Sequence, residues 1–141
     1  MTQIEFLHDA PDRVAAAAEW LRGACRRRQP VVVFVPERQM AEQLDRLLWT
    51  QPATGFFPHC HAESPLAAET PVVLADKLDQ LPHDRCLLNL ANELPPEFSR
   101  FEEVIEIIST ADAVRLPARE RFKFYRERGY AINARSVATG V

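Results

Sequence analysis

Val31-Val-Val-Phe-Val35 is a continuous run of β-branched and aromatic residues. A strand with one solvent-facing side alternates apolar and polar residues, whereas a parallel strand covered on both faces is apolar throughout. Amphipathic helical patterns precede and follow the run, starting near Asp12 and at Pro36. The run therefore predicts the central strand of a sheet that carries helices on both faces.

Four further segments, the first with alternating polar and apolar residues and the other three apolar, have the length and composition of strands. They span Thr2 to Leu7, Val72 to Ala75, Cys86 to Leu90 and Val104 to Ile108. Turn-rich or helical segments separate them, so strands and helices alternate along the chain. This alternation predicts a three-layer α/β domain with about five largely parallel strands flanked by helices.

The ends of two helices can be predicted from capping residues. Asp12 supplies capping chemistry for the first helix, and Arg26-Arg27-Arg28 ends it with cations that suit the helix dipole. Proline suits the first position of a helix, so the last helix is predicted to begin at Pro117 and to end at Gly129. Residues 133–141 are expected to form a loose tail.

Length and composition are those of one folded domain, and we treat 1–141 as a single unit. The 141 residues are enough to bury a core, and 47% hydrophobic residues exclude the composition of a disordered chain. Three widely spaced cysteines make a poor disulfide framework, and no apolar run is long enough to span a membrane or to direct export. These features predict a cytoplasmic protein.

The glycines exclude the usual nucleotide-binding motifs of α/β proteins. The chain has four, Gly23, Gly55, Gly129 and Gly140, and no two are close together. A dinucleotide-binding fingerprint and a P-loop each need clustered glycines, because the backbone must approach the phosphates closely. We therefore expect no dinucleotide-binding motif and no cofactor.

Two groups of residues offer acid, base or metal chemistry. His8-Asp9 follows the first strand, at the sheet edge where α/β proteins usually bind ligands, and His59-Cys60-His61 lies in a segment rich in proline. Neither group has a spacing diagnostic of a metal site or a catalytic centre. We expect no metal, and a small α/β enzyme that uses His8, Asp9 or His59-Cys60-His61 remains an alternative.

The strongest functional signal is a basic segment in an otherwise acidic chain. Residues 112–128 carry six Lys or Arg and three Asp or Glu, a net +3, so the rest of a chain with net charge −3 carries −6. On a helix, Arg115, Arg119, Phe122 and Arg126 fall in one stripe.

Lys123 lies on the flank of this stripe. An aromatic ring among guanidinium groups suits an acidic peptide with a hydrophobic end, or the phosphates and bases of a nucleic acid. The alternative is a solvated basic helix with Phe122 packed on the core.

A second candidate surface lies around Trp49 and Phe56. Trp49 falls nearly opposite Met40 on a helical wheel, so a helix that continues this far turns the indole away from the core. Phe56 belongs to Gly55-Phe-Phe-Pro58, a loop segment with two large aromatic residues. Exposed aromatic surface of this kind indicates a binding partner, unless Trp49 and Phe56 pack on each other.

Six blocks of the sequence match one known protein family, in the family's order. The most specific are Ala118-Arg-Glu-Arg-Phe-Lys-Phe-Tyr-Arg-Glu-Arg-Gly-Tyr130 and Ala41-Glu-Gln-Leu-Asp-Arg-Leu-Leu-Trp49. The others are Gly55 to His59, Pro71 to Leu74, Leu87 to Leu90 and Phe101 to Glu106. Over nearly its whole length, the chain resembles the chi subunit of bacterial DNA polymerase III holoenzyme.

The resemblance implies a non-catalytic accessory protein of the clamp-loader complex, with a Rossmann-like fold that binds no dinucleotide. Chi proteins grip the acidic C-terminal tail of single-stranded-DNA-binding protein (SSB) and bind the psi subunit, so that they contact DNA indirectly. By position, Trp49 and Phe56 would form the psi contact. The SSB-tail site would comprise Ile108, Arg115, Arg119, Phe122, Lys123 and Arg126.

The sequence departs from the family pattern in two places. Pro117, placed at the start of the last helix, would set Arg115 outside that helix, and His59-Cys60-His61 stands where the family has a small, glycine-containing loop. A module that binds single-stranded nucleic acid directly through the same stripe remains an alternative, although the acidic rest of the domain would repel phosphates.

Overall fold

A parallel β-sheet of seven strands forms the centre of the part of the chain that the structure describes. The structure is a computed structural model, and it describes residues 2–27, 29–50, 59–61, 72–76 and 84–137. The strands are β1 (Gln3–Ala10), β2 (Val31–Phe34), β3 (His59–His61), β4 (Val72–Ala75), β5 (Cys86–Asn89), β6 (Glu103–Ser109) and β7 (Ala131–Ser136). Their order in the sheet is β3-β4-β2-β5-β6-β1-β7, and every neighbouring pair is parallel.

Helices cover both faces of the sheet, which gives three layers. The helices are α1 (Arg13–Arg26), α2 (Arg38–Thr50) and α3 (Asp112–Glu127). One hydrophobic cluster joins α1 and α2 to one face, and a second joins α3 to the other. The predicted α/β class is therefore confirmed, and the described sheet has two strands more than the predicted five.

The apolar run at β2 is explained by burial on both faces. Val31 and Val33 belong to the cluster under α1 and α2, whereas Val32 and Phe34 belong to the cluster on the α3 side. All four residues are at most 3% exposed. Full burial of an aliphatic or aromatic side chain stabilises a fold by about 1.5–3 kcal/mol, so both faces of this strand contribute.

A buried polar network joins α3 to β6. The Glu106 carboxylate is fully buried and accepts two hydrogen bonds from the Arg121 guanidinium, both 3.1 Å long. The Tyr125 hydroxyl donates to it at 2.9 Å, and the Asn89 amide donates at 3.0 and 3.1 Å. Burial and the nearby Glu106 charge raise the pKa of Tyr125, so the phenol remains a donor at neutral pH.

The start of the last helix differs from the prediction. The helix α3 begins at Asp112 and contains Pro117, so Arg115 lies inside the helix. The Arg115 N–H donates to the Ala111 carbonyl at 2.8 Å, which closes a first turn ahead of the proline. Because Pro117 is in the second turn, it removes one hydrogen bond close to the helix start, where proline is tolerated better than in the middle.

The predicted loose tail is wrong for its first residues. Positions 133–136 belong to β7, which pairs with β1 from Gln3↔Ala131 to His8↔Ser136. The segment lacks an apolar run because β7 is the last strand of the described sheet and is mostly exposed, with Ile132 half-buried. Backbone pairing with β1 holds it instead. Residues 138–141 lie outside the described residues.

The buried Arg121–Glu106 pair predicts that Arg121 contributes much more to the stability of the fold than Arg119, which lies on the same helix. We expect Arg121→Met to lower the free energy of unfolding by about 3–5 kcal/mol, because it leaves the Glu106 charge buried without its guanidinium partner. The same change at the exposed Arg119 should alter it by less than about 0.5 kcal/mol. Urea unfolding followed by circular dichroism measures both, and equal losses would contradict the assigned role of Arg121.

Candidate functional site

A cavity of about 290 Å³ lies beside α3, at the carboxyl ends of β1 and β6. This is the edge of the sheet at which parallel α/β proteins usually bind ligands. Its walls come from β1, β6, β7 and α3. The lining residues are Phe6, His8, Asp9, Ile108, Arg115, Ala118, Arg119, Phe122 and Ala134.

The floor of the cavity is apolar. Phe6, Ile108 and Ala118 are at most 4% exposed and belong to the hydrophobic cluster between α3 and the sheet. The half-buried Phe122 ring meets Phe6 edge to face, with centroids 5.1 Å apart. Phe122 therefore packs on the core, as one alternative held, and also lines the cavity.

Two arginines form a cationic wall beside this floor. Arg115 and Arg119 lie four residues apart on α3, so their side chains leave the helix on the same face. Arg115 donates to the Asp112 carboxylate at 2.6 Å and keeps 40% of its side chain exposed. This hydrogen bond, followed by the Arg115 charge, lowers the pKa of Asp112 and keeps it ionised.

The remaining cations of the predicted stripe continue along α3 beyond the cavity. Arg126 stacks over the Phe122 ring, with its guanidinium carbon 5.9 Å from the ring centroid. Lys123 is exposed, one helical turn after Arg119. The structure thus brings Ile108, Arg115, Arg119 and Phe122 around one cavity, whereas Lys123 and Arg126 do not line it.

His8 and Asp9 line the same cavity, which the sequence reasoning did not foresee. The two side chains are hydrogen-bonded, with His8 Nδ1 and Asp9 Oδ2 2.9 Å apart. Asp9 has a φ of 65°, in the left-handed region, and sits where the β1–β6 register shifts between Leu7 and Ala10. The hydrogen bond from His8, and then that from Ser136, lower the pKa of Asp9. The position of this pair at the end of the first strand was the signal that pointed to a ligand site.

A larger cavity of about 730 Å³ lies at the opposite, amino-terminal edge of the sheet. Its charged lining residues have both signs, namely Arg85, Arg100, Glu102 and Glu103. Charges of both signs offset each other toward any ionic ligand. The smaller cavity also has an anion, Asp9, but it adds an apolar floor beside its two arginines and is therefore the stronger candidate site.

The other candidate residues fall partly outside the described residues. The helix α2 includes Trp49 in its backbone, as predicted, but the Trp49 side chain and the whole of Phe56 are not described. The backbone of His59-Cys60-His61 forms β3 rather than a loop, and its side chains are likewise outside the description. Among the described residues, no three His, Cys, Asp or Glu side chains form a metal-binding group, and no helix could cross a membrane.

The fold and the cavity define a class of protein: a three-layer α/β protein with a small amphipathic pocket on its last helix. A profile of the family described as DNA polymerase III chi subunit, HolC, matches residues 1–133. The chain belongs to this family of DNA polymerase III subunits.

Three curated relatives carry the same description, DNA polymerase III subunit chi. The Pseudomonas aeruginosa protein is 33% identical over 138 residues, which cover 94% of this chain and 94% of the relative. The Escherichia coli protein is 30% identical, and the match covers 84% of this chain and 78% of the length of the relative. The Haemophilus influenzae protein is 27% identical, and the match covers 86% of this chain and 82% of the length of the relative.

The hydrogen bonds of Asp9 predict its titration. We expect the Asp9 pKa to lie below the ordinary value of 3.8, and to rise toward that value in His8→Ala, which removes the largest cause of the shift. A lowered pKa in the folded state means that Asp9 supports stability above pH 3.8 and loses this effect as the pH falls through its folded pKa. NMR titration of the Asp9 carboxyl carbon measures the shift, and an unchanged pKa in His8→Ala would contradict it.

Proposed function

We propose that this chain is a non-catalytic adaptor of the replisome that binds the acidic C-terminal tail of SSB in the α3 cavity. The proposal rests mainly on one observation. Two cations, Arg115 and Arg119, line the same small cavity as the apolar Ile108 and Phe122. A peptide that ends in a hydrophobic residue offers two groups close together, an apolar side chain and a terminal carboxylate. The cavity offers a matching surface for each.

The size of the cavity supports a peptide end rather than a nucleotide. At about 290 Å³ it is at the lower limit of small-molecule sites, which span about 300–1,000 Å³. One side chain can enter over Ile108 and Phe122 while the carboxylate stays at the rim. Guanidinium groups bind carboxylates through paired hydrogen bonds, so Arg119 is suited to the chain terminus.

Acidic residues ahead of the tail end would meet the remaining cations. Lys123 and Arg126 are exposed along α3 and extend the positive surface away from the cavity. Exposed charges are screened by salt, and a disordered peptide loses conformational entropy when it binds. We therefore expect modest affinity for a single tail, which several tails on one SSB oligomer would raise through local concentration.

A second surface around Trp49 and Phe56 would join the chain to the psi subunit and so to the clamp loader. Helix α2 lies on the face of the sheet opposite α3, so a partner at Trp49 and a tail at Arg119 would be bound on separate faces. Under this proposal the chain works in the cytoplasm, needs no cofactor and contacts DNA through SSB.

The proposed tail site predicts a specific loss in one arginine variant. We expect Arg119→Ala to weaken binding of a fluorescent acidic peptide with a hydrophobic last residue by about tenfold or more, because a hydrogen bond between charged groups is worth about 1.5–3 kcal/mol. Arg38→Ala is a matched control, since Arg38 is exposed on α2 and pairs with Glu42. Fluorescence anisotropy at fixed low salt measures both affinities.

Two further peptides make this experiment decisive. A peptide amidated at its C-terminus, and one ending in Ser, should each bind more weakly than the parent, because each lacks one of the two recognised groups. Equal affinity for all three peptides, or equal binding by wild type and Arg119→Ala, would contradict the proposal. Tight, salt-sensitive binding of a bare oligonucleotide would instead favour the direct nucleic-acid-binding alternative.

The separation of the two proposed surfaces also has a testable consequence. We expect Trp49→Ala to abolish capture of a psi subunit while affinity for the acidic peptide stays within about twofold of wild type. Gln43→Ala, at an exposed position of the same helix, is the control and should retain both activities. A pull-down with purified psi, combined with peptide anisotropy, measures the two effects, and a parallel loss of both activities in Trp49→Ala would contradict separate sites.

A further inference from the structure

His8 is an ionisable residue of the cavity with no role in the function proposed so far. About 40% of its side chain is exposed, and it lines the same space as Arg115, Arg119 and Phe122. Its Nδ1 is 2.9 Å from Asp9 Oδ2, so the ring nitrogen left for a ligand is Nε2. The imidazole is therefore paired with a carboxylate of the protein, and both residues line the cavity.

The backbone around His8 fixes the position of the pair. The His8 carbonyl accepts a hydrogen bond of 2.8 Å from the Val137 N–H, which ties the end of β1 to the residue after β7. Asp9 adopts its left-handed conformation at the register shift of β1, and its carboxylate is bonded to His8 and to Ser136. Hydrogen bonds of the backbone and of the Asp9 carboxylate thus hold the His8–Asp9 pair at the edge of the sheet.

Asp9 poses an electrostatic problem for an anionic ligand. Its ionised carboxylate lines a cavity that, under the proposed function, receives the terminal carboxylate of a peptide. Like charges repel, and because about half of the Asp9 side chain is exposed, solvent weakens this repulsion. A proton on His8 would offset this repulsion, because the imidazolium then lies next to Asp9 and presents an N–H to the ligand.

Among the described residues, the other charged side chains that line the cavity with His8 and Asp9 come from α3. These are Arg115 and Arg119, and Asp112 pairs with Arg115. The residues that β6 and β7 contribute to the lining, Ile108 and Ala134, carry no charge. A bound carboxylate would therefore stand among Arg115, Arg119 and His8, with Asp9 hydrogen-bonded to the imidazole at the same cavity.

We propose that His8 is a further binding residue of this site, which donates from Nε2 to the terminal carboxylate of the peptide as an imidazolium, so that binding takes up a proton. The inference rests on the proposed function, whose ligand it uses. Asp9 acts as a positioning residue, since it holds the ring through Nδ1 and stabilises its charge. The charge of an imidazole ordinarily changes between pH 5 and 8. Under this proposal the affinity for the peptide therefore depends on pH.

The direction of the effect follows from the proton balance. If the complex holds one proton more than the separate partners, affinity rises as the pH falls, by at most tenfold per pH unit. We expect wild-type affinity for the acidic peptide to be about three- to tenfold higher at pH 6.0 than at pH 8.0. In His8→Gln, which keeps a polar side chain without the charge, this ratio should fall to nearly one.

The test uses the full chain and the same acidic peptide, by isothermal titration calorimetry. Titrations in buffers of different ionisation enthalpy count the protons taken up, and we expect a fraction of one proton near neutral pH for wild type and none for His8→Gln. Arg119→Ala is the matched control, because it should bind more weakly at both pH values yet keep the pH ratio. His8→Gln with the wild-type pH ratio and proton uptake would overturn the inference.

A second variant tests Asp9 through the same measurement. In Asp9→Asn the ring loses its anionic neighbour, so the pH-dependent rise in affinity should move to lower pH, and asparagine tolerates the left-handed backbone conformation at this position. An unchanged dependence of affinity on pH in Asp9→Asn would contradict the positioning role of Asp9. Absence of peptide binding by wild type at every pH would instead contradict the proposed function, so the two failures are distinguishable.

Discussion

The buried carboxylate of Glu106 is the constraint on which the position of α3 depends. Arg121 and Tyr125 lie one helical turn apart on the inner face of α3, and both bind this one side chain of β6. Because both residues must reach the same carboxylate with directional hydrogen bonds, this contact restricts the rotation and register of the helix in addition to its apolar packing. With the inner face fixed, Arg115, Arg119 and Phe122 are directed to the cavity.

A second buried cation holds the elements behind this network. Arg13, at the start of α1, donates to the carbonyls of Ile107 and Ala91 and to the side chain of Asn92. Burial lowers the pKa of Arg13 to about 10, and the Glu106 charge opposes that shift, so the guanidinium stays charged at neutral pH. The ends of β5 and β6, and with them the base of the cavity, are thereby tied to the helix of the opposite layer.

Much of the fold could be predicted from the sequence, because burial on both faces leaves an unambiguous pattern. The strand β2 is apolar at every position, and its neighbours are nearly so. Glu106 interrupts the apolar sequence of β6, and its partners Arg121 and Tyr125 lie on α3. The network could therefore not be recognised from the sequence around Glu106. For the same reason Arg121 was counted as part of a basic surface, although it is only 4% exposed. Arg115, Arg119 and Phe122 could be grouped from the sequence because they share a helix, whereas His8 and Asp9 could be named only as a separate acid–base pair, because the sheet, not their spacing, brings them to α3.

The chain that joins β1 to α1 favours a carboxylate over a phosphate as the ligand proposed for this edge. In dinucleotide-binding proteins a glycine-rich turn lets the ligand reach the N-terminus of the next helix. Here the end of β1 and the turn that follows it run His8-Asp9-Ala10-Pro11-Asp12, without glycine. The Asp12 carboxylate accepts the N–H groups of Val14 and Ala15 at 3.1 Å each, so the end of α1 already holds an anion. Among the described residues, the nitrogen-bearing side chains that line the cavity at this edge are Arg115 and Arg119 of α3 and His8, beside an apolar floor. A short peptide terminus matches that arrangement better than a diphosphate does.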